Sequence, residues 1–151
     1  MPARVRMMRD PRVYRSAEVP VPYTMEHAQW RFDQGFGKNE DFTCILDDIW
    51  RVGFLCCAGG ELGYVVDPRA WGRGVGTWMV REFMEKNGDD IELKAKVLET
   101  NTASCRILER TGFDMVDYEP HKNPNWPPYV HLRVYFRCHA RERSDNLVKN
   151  Q

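Results

Sequence analysis

Three glycines stand at alternate positions, Gly72, Gly74 and Gly76, with Arg73 between the first two and Thr77 after the last. Glycine lets successive backbone N–H groups turn towards one point, and an arginine among them adds charge. Behind the glycines, Val75, Met79, Val80, Phe83 and Met84 recur at helical spacing. A glycine-rich loop that feeds a helix N-terminus offers free N–H groups and the positive end of the helix dipole. That is a recipe for holding phosphate.

The elements that must position this loop can be read on either side of it. Before it, Glu61–Val66 is a short apolar strand that Asp67-Pro68 breaks, because proline cannot continue a ladder. The helix behind it runs from about Gly76 to Lys86, and Asn87-Gly88 stops it. Upstream, Asp41–Leu46 alternates through Phe42, Cys44 and Leu46, Asp47-Asp48 suits a turn, and Ile49–Cys57 is nearly all apolar. Ala58-Gly59-Gly60 is a tight turn, so these three strands form an antiparallel meander. A helix begins after Thr24 and ends at Gly35 and Gly37. Residues 1–23 read as mostly irregular, with at most a short extended piece at Arg4–Met8.

Downstream, Ile91–Val97 alternates with Ile91, Leu93, Ala95 and Val97 on one face. Strand, helix and strand in that order predict a crossover and a parallel pair. Asn101–Arg110 reads as a short helix with Ala103, Ile107 and Leu108 inward and Gly112 closing it. Phe113–Tyr118 is a strand, Glu119–Tyr129 a proline-rich loop, Val130–Phe136 a last strand, and the tail from Ala140 is polar. At 151 residues these elements make one domain over 1–151.

Three ligands compete for the loop. A Walker A loop needs a lysine after its last glycine, and Gly76 is followed directly by Thr77. A dinucleotide fingerprint needs a further glycine where Thr77 stands, and a doubly wound sheet instead of a meander. The third is the diphosphate of coenzyme A. The loop alone leaves a ligand and a bare glycine-rich turn both open.

A second stretch narrows the choice. Asn101-Thr-Ala-Ser104 followed by Gly112-Phe113 resembles the N-x-x-S…G-F signature of the GNAT acetyltransferases. With E-L-G-Y at 61–64, W-G-R-G-V-G-T at 71–77 and P-V-P-Y-T at 20–24, the chain is similar to the RimJ/RimL-type branch over roughly residues 10–137. The resemblance implies an α/β (α+β) fold: a mixed, mostly antiparallel central sheet with helices on both faces, splayed between the strands at Glu61–Val66 and Ile91–Val97. It implies acetyl-CoA in that gap as acyl donor, with an amine as acceptor, either a protein N-terminus or a small molecule. Glu61 falls where a general base acts, through water, and could equally be a solvated strand-start glutamate. Ser104 falls near the CoA sulfur, where it could relay a proton, against the plainer role of a helix serine bonding its own backbone. Asn101 is a candidate for pantetheine or a helix cap. Backbone groups at Val65 and Val66 would hold pantetheine, and Trp71, Gly72, Arg73, Gly74, Val75, Gly76 and Thr77 the diphosphate. Trp71 stands where glutamine or arginine is common in the wider superfamily. Leu108 stands where many members carry a tyrosine general acid, which excludes that chemistry there.

The resemblance also leaves the first strand short or missing, because only about twenty residues precede P-Y-T. The Asp41–Leu46 strand would then have an uncovered edge, to be met by a neighbouring subunit in a homodimer, or the chain is a truncated gene product. A catalytically impaired CoA-binding or interaction module is the alternative to an enzyme, and a protein with no CoA a third reading. Trp126 and Tyr129 are candidates for an acceptor pocket or a dimer surface, against the commoner role of shielding the core.

Composition trims the partners. Basic and acidic residues balance at 22 each, which gives no footprint for nucleic acid or a membrane surface. Arg4, Arg6, Arg9, Arg12 and Arg15 suggest an organelle presequence, but Pro2, Asp10, Pro11 and the lack of serines before Arg15 argue against it. Five cysteines, odd in number and without a C-x-x-C pair, suit reduced thiols in a cytoplasmic protein. Histidines 27, 121, 131 and 139 lack ligand spacing, so no metal is expected.

Overall fold

The computed structural model describes residues 3–34, 42–46, 50–88 and 91–137. Gly35 and Gly37, the Asp47-Asp48 turn, the strand starts at Asp41 and Ile49, and the tail from Ala140 lie outside the described residues. The elements run α1 (Ala3–Arg9), α2 (Pro11–Tyr14), α3 (Met25–Asp33), β1 (Phe42–Leu46), β2 (Trp50–Ala58), β3 (Glu61–Val66), α4 (Val75–Asn87), β4 (Leu93–Leu98), α5 (Thr102–Arg110), β5 (Asp114–Pro120) and β6 (His131–Arg137). Among the described residues no helix is long and apolar enough to cross a membrane.

The strands form one sheet in the order β1-β2-β3-β4-β6-β5. β1, β2 and β3 make the expected antiparallel meander, and β4 lies parallel to β3 after the α4 crossover. β1 stands at one sheet edge, and no strand precedes it among the described residues. One core joins α4 and α5 to the sheet through Leu55, Leu62, Met79, Val80, Phe83, Leu93, Ala95, Leu108 and Tyr135. Leu93, Ala95 and Val97 are all buried, so the alternation read in β4 is real. Leu108 is fully buried in this core, and its hydrocarbon side chain carries no proton chemistry.

The other face is where the sequence reading needs correction. Residues 1–23 are not mostly irregular, and Arg4–Met8 is not extended: it lies within α1, and α2 follows. Asp10 caps α2 by accepting from the Arg12 N–H, and Pro11 occupies its first turn, where proline has no N–H to lose. Val5, Met7, Met8, Val13, Val19 and Tyr23 pack on Phe54 of β2, so this segment is the second layer of the fold. Burying six such side chains stabilises the docked segment by roughly 1.5–3 kcal/mol each before its ordering entropy is set against it.

One carboxylate ties that layer to the glycine loop. Asp67 is buried; it accepts from the Arg69 N–H at 3.0 Å and is paired with Arg69 at 2.7 Å and with Arg6 of α1 at 3.1 Å. The Arg69 guanidinium, assisted by Arg6, holds its carboxyl down at about 2. A carboxyl lowered by folding stabilises the native state above its unfolded value near 3.8 and loses that contribution as pH falls towards 2. Asp67→Asn is therefore expected to lower stability by about 2 kcal/mol at pH 7. The gap, measured from urea midpoints, should narrow between pH 4 and pH 2; a gap constant with pH would mean that shape, not charge, is what the site needs.

Candidate active site

β3 and β4 are neighbours, yet their register holds only at Glu61↔Lys94, where the Lys94 N–H donates to the Gly60 carbonyl at 2.8 Å. Beyond that pair the two strands part, and a notch opens between them. Two clefts meet there. The larger, about 520 Å³, runs from the notch over the glycine loop and is lined by β3, the start of α4 and one face of α5. The smaller, about 230 Å³, lies between β3, β4, the N-terminal layer and Trp126. Tyr64, Val65, Asn101 and Ser104 line both.

The ladder decides which backbone groups face the notch. The Asp67 N–H donates to the Val52 carbonyl at 2.6 Å, and antiparallel pairing alternates, so Glu61, Gly63 and Val65 turn their amides to β2. Leu62, Tyr64 and Val66 turn theirs towards β4. Val65, paired with Phe54, turns its amide away from the notch yet lines both clefts. Tyr64 faces the notch beside Val66, whose carbonyl accepts the Trp71 indole N–H at 2.9 Å.

The glycine loop has an open, uncapped end. Gly72 and Gly74 have φ of 74° and 77°, the left-handed region that favours glycine, and a Cβ at either would meet nothing within 4 Å. Gly74 is the N-cap of α4 and makes no side-chain cap hydrogen bond. The first N–H groups of α4, at Val75, Gly76 and Thr77, thus open on the larger cleft. Gly76 serves packing as well: a Cβ there would stand 2.7 Å from Ile107 Cδ1, so its absence lets α4 close on α5. Trp71, Gly72, Gly74, Val75, Gly76 and Thr77 all line the larger cleft; Arg73 is exposed and is not among its lining residues.

Helix α5 is fixed at both ends of this arrangement. Asn101 caps it, its Oδ1 accepting from the Ser104 N–H at 3.3 Å, which leaves its amide nitrogen for a ligand. The Tyr64 hydroxyl donates to the Ser104 carbonyl at 3.2 Å, bridging strand and helix across the notch, and burial pushes its pKa up so that it stays a neutral phenol. Tyr135, fully buried, donates to Glu109 Oε1 at 3.0 Å. Of the three residues expected inward, Leu108 is buried and Ile107 half-buried, but Ala103 is exposed and faces the larger cleft. With Arg106, Ile107 and Arg110 it forms a stripe at i, i+3, i+4 and i+7 along that wall. The two arginines were missed; the stripe itself is the signal that marks them. No carboxylate lines this cleft among the described residues, so its field suits an anion.

Glu61 lies outside the larger cleft. Its exposed side chain lines the smaller cleft, as does Lys96, whose ammonium is held charged first by Glu119 at 2.7 Å and then by the fields of Glu61 and Glu18. Ser104 belongs to both clefts and Glu61 to the smaller alone, so a hydroxyl stands at their junction. Trp126 is buried against Leu98, Val130 and Leu132, the core-shielding role, and also lines the smaller cleft. Tyr129 is exposed and lines neither.

A family model described as an acetyltransferase (GNAT) domain matches residues 1–114. No match was found among curated proteins. Among solved structures, the chain is similar to a protein from Streptococcus mutans UA159, with 16% identity over 89% of this chain and 90% of that one and a TM-score of 0.71. It is also similar to RimL, a ribosomal L7/L12 alpha-N-protein acetyltransferase in complex with coenzyme A, with 16% identity over 89% and 84% and a TM-score of 0.67. A spermidine N-acetyltransferase chimera of SpeG from Vibrio cholerae and hSSAT shares 10% identity over 92% and 90%, with a TM-score of 0.67. At these identities the structural likenesses speak for the fold alone.

Proposed function

The chain belongs to the GNAT acetyltransferase family, and on that premise we propose that it is a single-domain N-acetyltransferase of the RimJ/RimL-like branch. It would move an acetyl group from acetyl-CoA to a primary amine, on a protein N-terminus or a small molecule. The observation that carries this reading is the β3–β4 notch, which joins an anion-suited cleft to a second cleft through Ser104.

The residues present fit the donor. The uncapped N–H groups of Val75, Gly76 and Thr77 would hold the diphosphate, with Arg106 and Arg110 adding charge. Notch-facing amides of Tyr64 and Val66, and the Asn101 amide, would hold pantetheine. When bound, acetyl-CoA supplies an activated thioester with a stable thiolate leaving group. Glu61 takes a proton from the acceptor ammonium through water, so that a neutral amine attacks. A notch-facing N–H of β3 stabilises charge developing on the carbonyl oxygen. The Ser104 hydroxyl donates to the departing thiolate. Positioning contributes as well, since both reactants are held at one junction.

Acetyl-CoA at a hundredfold excess over its Kd should raise Tm by roughly 5–10 °C, read by differential scanning fluorimetry. No shift at saturation would sink the reading. A shift without release of CoA on any amine would favour a binding module of the same fold.

A further inference from the structure

The charged groups that line the smaller cleft do not sort by sign. Glu18 stands with Arg4 and Arg31 on the N-terminal side, and Lys96 with Glu61 on the sheet side. Most of them are already engaged. Glu18 accepts from the Lys122 N–H at 3.3 Å, and Lys96 is paired with Glu119 at 2.7 Å. Arg4 and Arg31 are not free either, the Arg4 guanidinium carbon lying 4.5 Å from the centroid of the Phe54 ring. The apolar walls are ordered differently. Met8, Val19 and Phe54 belong to the cluster that docks the N-terminal layer on β2. Leu98, Trp126 and Leu132 belong to another cluster, at the end of β4 and the start of β6, where Leu98 and Leu132 are cross-strand partners. All six line the cleft, and the two clusters are separate among the described residues. The space between them, about 230 Å³, is shared with Glu61 and Ser104.

We infer that the acceptor amine carries an apolar side group, aliphatic or aromatic, seated between these two clusters with its amine at Glu61. The inference rests on acetyl transfer with the smaller cleft as the acceptor side. An apolar group placed there leaves water and joins walls that do not otherwise meet, a gain of roughly fourfold per buried methylene. A polyamine is disfavoured. Its second ammonium would lose its water against apolar walls, with Glu61 taken by the first amine and Glu18 already accepting from Lys122. An amine derived from an apolar amino acid and a peptide N-terminus with an apolar first residue supply the same chemistry.

The test is a series of short peptides that differ only in the first residue, which is alanine, serine, valine, leucine, phenylalanine or lysine. They are run with acetyl-CoA beside the matching amino acid amides and spermidine. From alanine to leucine or phenylalanine, kcat/KM should rise roughly ten- to hundredfold. Faster peptides would identify a protein N-terminus as the source of the amine and faster amides a small molecule; either supports the inference if leucine or phenylalanine leads. Leu98→Phe fills the cleft and should turn the order in favour of alanine. Trp126→Leu opens it and should raise phenylalanine relative to leucine. The acetyl-CoA-induced Tm shift checks that each variant folds. A flat series, a lead for serine, lysine or spermidine, or the parent's order in both folded variants would overturn the inference and leave acetyl transfer standing. No turnover of any amine would overturn both.

Discussion

Glu61→Gln should reduce kcat about a hundredfold or more while the Tm shift given by acetyl-CoA persists. The substitution keeps shape and hydrogen-bonding reach but removes the proton acceptor. Glu61 is exposed, and the β3–β4 link beside it is main-chain, from the Lys94 N–H to the Gly60 carbonyl, so the swap leaves the notch intact. Glu61 lines the smaller cleft and not the larger one, so donor affinity should stay within about twofold of the parent, a change of less than ~0.5 kcal/mol. Steady-state rates and donor titration on one preparation decide the matter. Equal loss of turnover and Tm would make Glu61 structural, and an unchanged kcat would move the base elsewhere.

The other large effect belongs to Gly74→Val. At φ 77° a β-branched residue is strained by ~1–3 kcal/mol, although space for its Cβ is open. The chain can relieve that strain only by rotating the N-cap of α4, and the N–H groups of Val75, Gly76 and Thr77 then lose their common aim. Donor affinity should fall about a hundredfold, the equivalent of two charge-assisted hydrogen bonds, while Tm drops by roughly 2–8 °C. Gly76→Ala is the contrast. Its neighbour is the flexible end of Ile107, which can give way, so a smaller loss is expected. Donor binding by Gly74→Val at the parent's affinity would remove the loop from the diphosphate site.

Much of the donor side was legible because its signals are local. Glycines with positive φ, a proline after Asp67 and an asparagine two turns before Leu108 each act within a few residues of themselves. The direction of the β3 amides was not legible. Alternation shows which side chains share a face, but which residues pair with β2 follows from the ladder's phase, and that placed Tyr64 and Val66, not Val65, in the notch. Ala103 was assigned inward for a related reason. An alanine fits either a core or a ligand-facing wall, and only the arginines three and seven residues later mark the wall. The smaller cleft was hardest to read because it is assembled from Arg4, Glu18, Arg31, Glu61, Lys96 and Trp126, which no short window contains.

The N-terminal helices failed to show for a different reason. Seven and four residues are too few for a periodic stripe to be counted, and five arginines hid the apolar face. Four of those arginines hold the segment to the rest of the chain or to itself: Arg4 on Phe54, Arg6 on Asp67, Arg9 on the Tyr23 carbonyl and Arg12 on Asp10.

Synthesis of the chain runs in the opposite order to that docking. The surface that α1 and α2 cover, Phe54 and Val65 with Asp67 beside them, is made some forty to sixty residues later. Until the β2–β3 hairpin has left the ribosome, the first helices lack the sheet surface they pack on. They are translated before the surface they dock on, and chain closure over such a span is a cost that local helices avoid. Ser16 and Ala17, carried by the same segment, line both clefts. A nascent chain can therefore hold a finished hairpin and still have no walled site; folding and the capacity to bind arrive together.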